Sequence, residues 1–355
     1  MSRFFSEKYA ALSPYVPGEQ PRDMQYLKLN TNESPYPPLP EVVEAAREEA
    51  ARAHLYSDPT ALALRQALAE RYGVTPDMVI AVNGSDEALN FAFMAFCDRE
   101  HPAIFADITY GFYPVFANVN GIPYEEIPLR DDFTLDPEDY IRRPGKTVFI
   151  ANPNAPTGLL LPLADIERIA ASDPSRVVVI DEAYIDFGGE SAIRLIPEYP
   201  NLLVTRTFSK SRSLAGARLG FAVGQPALIA DLETLRNSTN PYNVNRMTLA
   251  MGAASLARDD VNMQNCMTVA GVRDRAAEEL RGLGFAVTDS KTNFLFARHP
   301  AVDGETLYKK LRARGILVRH FSLPRIAAYN RITVGTAEQM KTFTAAVREI
   351  LEDPS

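Results

Sequence analysis

Four stretches of the chain put reactive side chains directly after apolar runs. In TFSKSRSLAGARLGF (207–221) a strand-like run, LLVTRT, leads into Ser209 and Lys210, and Arg218 follows eight residues after the lysine. An ammonium at the end of a buried strand is costly to desolvate, so its pKa should fall, which is the condition for a nucleophilic, Schiff-base-forming lysine. On this feature alone, Lys210 also reads as a loop lysine that reaches solvent along its methylene stem. In VVVIDEAYIDF (177–187) four apolar residues run into Asp181 and Glu182. A carboxylate there sits where open α/β sheets bind ligands. It could keep a pyridine nitrogen protonated, making the ring an electron sink, and Tyr184 could donate to a ring hydroxyl. A helix cap or a metal ligand is the other reading of Asp181. NGSDEALNFAFMAF (83–96) reads as a turn at Gly84 and a helix beginning with Ser85, Asp86 and Glu87. Free N–H groups and the helix dipole suit a phosphate, although the same residues also make a capping sequence. ANPNAPTG (151–158) is a strand exit into a Pro and Gly turn, by itself only a loop signal. Together the four supply a phosphate cradle, a ring-nitrogen partner, an imine lysine and a polar turn.

Short apolar runs must position these residues: MVIAV (78–82), AIFA (103–106), TVFIA (147–151), VVVID (177–181), LLVTRT (202–207) and LGFAV (219–223). Continuous runs of this kind suit strands buried on both faces. Helix candidates such as 60–73 and 163–172 alternate with them, so an α/β unit with a mainly parallel sheet is expected. After about residue 250 the pattern changes to long helical stretches, then FLFA (294–297), ILVR (316–319), RITV (331–334) and a final helix over about 337–351, a smaller α+β unit. The segment before residue 40, with PYVPGEQP and SPYPPLP, favours extended backbone that wraps over the other parts.

The 355 residues are 46% hydrophobic and 23% charged, enough for one large domain and a smaller companion. A net charge of -8 argues against a nucleic-acid surface and for a small-molecule substrate. Cys97 and Cys266 stand far apart with no ligand-like spacing, so neither a disulfide framework nor a metal site is expected. No apolar run has the length of a membrane span, and MSRFFSEKYAAL lacks a secretory core, so the cytoplasm is the default address.

The order of ITYGFYP (108–114), NPNAPTG (152–158), DEAY (181–184) and SK with an arginine eight residues on resembles the fold-type I pyridoxal-phosphate-dependent aminotransferases over nearly the whole chain. PYVPGEQP, KLNTNESPYPP (28–38), NPYNVN (240–245) and RITVGT (331–336) are similar to the branch of that family that acts on histidinol phosphate. The resemblance implies a three-layer large domain (41–255), a small C-terminal α+β domain (256–355) and an N-terminal segment (1–40) joining the small domain. It implies pyridoxal 5'-phosphate as cofactor, with Lys210 as the imine lysine, Asp181 paired with the pyridinium, Tyr184 on the ring oxygen and Tyr110 stacked on the ring. Ser85, Asp86, Thr207, Ser209 and Arg218 would hold the cofactor phosphate, the first two largely through backbone amides. Tyr56, in LYSDPTALAL, matches a tyrosine that reaches this phosphate from the neighbouring subunit, which implies a homodimer. Arg331 matches an arginine that grips the substrate carboxylate, and Arg319 one near the substrate phosphate. One departure is visible. The family commonly has Asn before PTG, bonding the ring hydroxyl, and here Ala155 stands there with Asn154 just upstream, so either Asn154 substitutes or Tyr184 acts unaided.

The activity implied is a two-half-reaction amino transfer between histidinol phosphate and 2-oxoglutarate, with glutamate as the second amino acid, in histidine biosynthesis. An aromatic amino acid aminotransferase and a decarboxylase of phosphorylated amino acids would share the cofactor residues and remain alternatives.

Overall fold

The computed structural model describes residues 2–10, 12 and 18–352; of PYVPGEQP, residues 14–17 lie outside them. After a short strand β1 (Leu27–Lys28), seven strands build one sheet: β2 (Val79–Val82), β3 (Ala103–Ala106), β4 (Tyr124–Ile127), β5 (Thr147–Ala151), β6 (Val178–Asp181), β7 (Leu202–Thr207) and β8 (Gly220–Gly224). Their order is β2-β8-β7-β6-β5-β3-β4. Only β8 runs antiparallel to its neighbours, so β2 points the same way as β7 and the carboxyl ends of β2, β6 and β7 share one edge. The apolar runs predict these strands to within a residue, with the exception of β4. Its sequence YEEI is half exposed and polar, as an edge strand allows, and lacks the buried-strand signal.

Alternation along each strand builds the layers. Ile180, Leu202 and Val204 face one core, with Ile166 and Ile169 of the helix Leu163–Ser172 packed on them. Val179 and Leu203 face the opposite one, under the helix Ser85–Phe96. There Phe93 lies flat on Phe149, ring centroids 4.0 Å apart. Truncating a buried aromatic of this kind costs about 3–5 kcal/mol.

The later part of the chain forms β9 (Ala286–Val287), β10 (Phe294–Arg298), β11 (Ile316–Leu317), β12 (Arg319–His320) and β13 (Asn330–Thr333). An antiparallel sheet, β12-β13-β10-β9, is covered by the helices Asp259–Gly282 and Ala337–Glu352. Those helices present Val269, Val272, Ala276 and Leu280, and Met340, Phe343, Val347 and Ile350, at helical spacing to the same core. The run ILVR, read as one strand, is divided. Ile316 and Leu317 pair in parallel with β1, whereas Arg319 and His320 pair with β13, so the chain changes sheets at Val318.

Candidate active site

At the carboxyl edge of the large sheet the strand ends converge on a cavity of about 300 Å³ lined by Ser85, Tyr110, Asp181, Tyr184, Lys210 and Arg218, among others. Thr207 and Ser209 line it too. Lys210 lies in the turn that leaves β7. Its Nζ donates to the Thr31 carbonyl at 3.2 Å and lies 5.9 Å from the Tyr184 ring centroid. Burial pushes the Lys210 ammonium down to about 8, assisted by the positive field of Arg331 and opposed by Glu33 and Asp86. The neutral amine is therefore about a tenth of the population at pH 7, far more than for an ordinary lysine, as nucleophilic and general-base roles need.

One end of the cavity is a close backbone approach. Gly84, at φ 75, precedes the helix that starts at Ser85, and a Cβ there would meet the Arg218 guanidinium at 2.6 Å. A Cβ on Gly220 would meet the Ser85 amide nitrogen at 2.5 Å, so β8 can lie against the helix start only as glycine. The result places free helix N–H groups, the Ser209 and Thr207 hydroxyls and Arg218 around one spot, the donor set an oxyanion requires. Asp86 braces this end: one carboxylate oxygen accepts from the Tyr110 hydroxyl at 2.7 Å and the other from Arg218 at 3.1 Å.

Asp181 lies deeper and is 5% exposed. Burial pushes its carboxyl up to about 7, against hydrogen bonds from the Tyr113 hydroxyl (3.1 Å) and the Thr205 hydroxyl (3.3 Å) that favour the anion. A cation brought beside it would draw the pKa back down, so the position suits a protonated ring nitrogen. An oxyanion cradle, a buried carboxyl and a depressed-pKa amine in one cavity of this size fit a phosphorylated pyridine aldehyde.

A second cavity of about 580 Å³ adjoins the first and shares Thr31, Tyr110, Ala155, Tyr184 and Lys210 with it. Arg319 and Arg331 line its far side, beside the apolar Phe321, Leu323 and Ile326. The two arginines are direct cross-strand partners of β12 and β13. Both guanidinium groups lie 5.7 Å from the Phe321 ring centroid. Arg331 also donates to the Asn30 carbonyl at 3.2 Å.

Two residues singled out from the sequence for the cofactor are not in the first cavity. Asn154 is a correction: its amide nitrogen donates to the Ile108 carbonyl and Thr157 hydroxyl, both at 2.9 Å, and its oxygen accepts from Thr109 at 2.8 Å. Thr157 of the same loop and the segment at Ile108 and Thr109 hold the side chain toward a separate crevice of about 450 Å³, and Ala155 lines the Lys210 cavity instead. Tyr56 is 78% exposed and stacks on Tyr242 at 4.5 Å, outside the cavity of its own chain.

Sequence reasoning passed over Asn32, whose amide donates to the Tyr184 hydroxyl at 3.0 Å, and Tyr113. Both lie inside stretches quoted above, KLNTNESPYPP and ITYGFYP, but only tertiary pairing brings them to the site. The one available signal was chemical: a buried strand-end Asp needs donors, and a second tyrosine lay three residues from Tyr110.

The profile of the aminotransferase class I and II family matches residues 24–347. Histidinol-phosphate aminotransferase 2 of Dechloromonas aromatica is 50% identical over 354 residues, 99% of each chain. Histidinol-phosphate aminotransferase of Clostridium acetobutylicum is 46% identical over 353 residues, 99% of this chain and 100% of that one. Among solved structures, histidinol-phosphate aminotransferase from Sinorhizobium meliloti in complex with pyridoxal-5'-phosphate is similar at TM-score 0.90 and 25% identity, covering 100% of this chain and 99% of that one.

Proposed function

The chain belongs to the class I and II aminotransferases and is a pyridoxal-phosphate-dependent aminotransferase, and from that premise we propose that it moves the amino group of histidinol phosphate to 2-oxoglutarate. The observation that carries the substrate is the pairing of Arg319 with Arg331 across β12 and β13, in a cavity that opens onto Lys210. Histidinol phosphate brings a phosphate, and glutamate brings two carboxylates to the same space. Forked guanidinium donors match both oxyanions.

When bound, the cofactor supplies a ring that takes up the negative charge left at the substrate Cα. Lys210 is the residue that would hold it covalently, and its amine, once released by the incoming substrate, would take the Cα proton and pass it to the cofactor carbon bonded to the transferred nitrogen. Asp181 would keep the ring nitrogen protonated. Tyr184 would donate to the ring oxygen, and Tyr110 would cover one ring face. The amides of Ser85 and Asp86, the hydroxyls of Thr207 and Ser209, and Arg218 would hold its phosphate. Arg331 orients the carboxylate of glutamate, and Arg319 reads the phosphate of histidinol phosphate.

We read the working unit as a homodimer in which Tyr56 reaches the partner's cofactor phosphate, which accounts for an exposed tyrosine paired with Tyr242. No helix among the described residues is long and apolar enough to cross a membrane, and a cytoplasmic biosynthetic role fits. Large and small domains divided near residue 255, with residues 1–40 joining the small one, complete the reading.

The apolar wall of Phe321, Leu323 and Ile326 favours aromatic amino acids as a second substrate class. Steady-state kcat/KM for histidinol phosphate, phenylalanine and tyrosine with 2-oxoglutarate as acceptor decides between them. A preference for histidinol phosphate of tenfold or more, about 1.4 kcal/mol, is expected. Preference for the aromatic amino acids would reverse the assignment, and carbon dioxide release without need of an acceptor would make it a decarboxylase.

A further inference from the structure

Asn32 sits in the left-handed region at φ 56 and is 1% exposed, in the segment that runs between β13 and Lys210. Four hydrogen bonds hold it. Its backbone N–H donates to the Thr333 hydroxyl oxygen at 2.9 Å, and its carbonyl accepts from Asn293 at 3.0 Å. The Thr333 hydroxyl donates to Asn32 Oδ1 at 3.0 Å, and Asn32 Nδ2 donates to the Tyr184 hydroxyl oxygen at 3.0 Å.

These bonds have a fixed direction. A backbone N–H can only donate, so the Thr333 hydroxyl accepts there and directs its own proton to the only amide atom able to take it, Oδ1. That orientation leaves Nδ2 facing Tyr184. Turning the amide over would take from the buried Thr333 hydroxyl the acceptor that its proton has here, a costly change. With Asn32 donating to it, the Tyr184 hydroxyl has its proton left for an acceptor on its other side, where Tyr184 lines both cavities.

We propose that Asn32 is a positioning residue that commits the Tyr184 hydroxyl to donating toward the cofactor ring oxygen, and so compensates for Ala155 standing where an asparagine would bond that oxygen directly. The inference rests on the reading of Tyr184 as the ring-oxygen contact. Because Thr333 belongs to β13, the polarity of the contact is set from the small sheet.

The test is the pH midpoint of the absorption change of the Lys210-bound chromophore in holoenzyme without substrate. A donor to the ring oxygen favours the form in which the neighbouring nitrogen has lost its proton, so losing the donor raises the midpoint. Tyr184→Phe should raise it by about one unit. Asn32→Gly, which tolerates the positive φ, should raise it by a smaller amount in the native background and by nothing further in the Tyr184→Phe background, as expected of residues acting through one contact. Asn32→Asp keeps the shape but can only accept from Tyr184. Its shift should be larger with Tyr184 present than with Phe in its place. Equal shifts of the Asn32 variants in both backgrounds, or no shift of Asn32→Gly where Tyr184→Phe does shift, overturn the role of Asn32. A Tyr184→Phe midpoint unchanged from the native enzyme overturns the reading of Tyr184 and this inference with it.

Discussion

The Tyr113 hydroxyl donates to Asp181 at 3.1 Å in a place closed to solvent, with Tyr113 fully buried and Asp181 5% exposed. The bond favours the anion that burial alone would neutralise, and an anion paired with a ring cation in a water-poor site can lower the barrier by several kcal/mol. Asp181→Asn should therefore still bind cofactor but lose about 10² or more in turnover. Tyr113→Phe, which leaves the Thr205 contact, should lose about tenfold, the worth of one hydrogen bond to a charged group. Near-normal turnover in Asp181→Asn would mean that another acid partners the ring.

Replacing the arginines separates the two oxyanions. Arg331→Lys should raise KM for both substrates, because a point ammonium cannot reproduce a two-pronged contact, with a loss of about 2–4 kcal/mol in kcat/KM. Arg319→Ala should hurt histidinol phosphate more than phenylalanine, which has no phosphate. Equal losses for the two would show that Arg319 does not read the phosphate.

The large sheet was legible because its strands are continuous apolar runs, and Lys210 and Asp181 were singled out because they stand at or just beyond the ends of such runs. Asn32 carries no comparable mark. Its role arises from pairing with Thr333, 301 positions away. The adjacency of Arg319 and Arg331 is likewise a matter of strand register, which the eleven residues between them do not reveal. Asn154 misled because a polar residue beside the expected position says nothing about which way the loop turns, and its bonds to Ile108, Thr109 and Thr157 hold it toward another crevice.

Subunit sharing of the site is checked by mixing two inactive variants. Lys210→Ala and Tyr56→Ala should each be impaired, and subunits exchanged between them should form mixed dimers with one complete site. Recovery should approach roughly a quarter of native activity, since about half the dimers are mixed and each holds one site of two. No recovery after verified exchange would mean that Tyr56 does not serve the partner.

Stability of the cofactor-free protein should depend on pH through Lys210. Its ammonium titrates near 8 when folded and near the ordinary 10.5 when unfolded. Between those values the unfolded chain binds more protons, so stability rises with pH in that window. Lys210→Met, which removes the desolvation cost, should be more stable than the native chain at pH 7 by about 1–3 kcal/mol, with the gap closing by about pH 10.5. Denaturant titrations of both proteins across this range measure it, and a gap constant with pH would contradict the buried-ammonium account.

The site stands or falls with the lysine that carries the cofactor, and borohydride reduction of the holoenzyme followed by peptide mass spectrometry reads that lysine directly. Lys146 pairs with Glu125, and Lys291 pairs with Asp289, outside the cavity where Lys210 lies. The account predicts the reduced cofactor on the peptide containing Lys210 alone; label on Lys146 or Lys291 instead would contradict it.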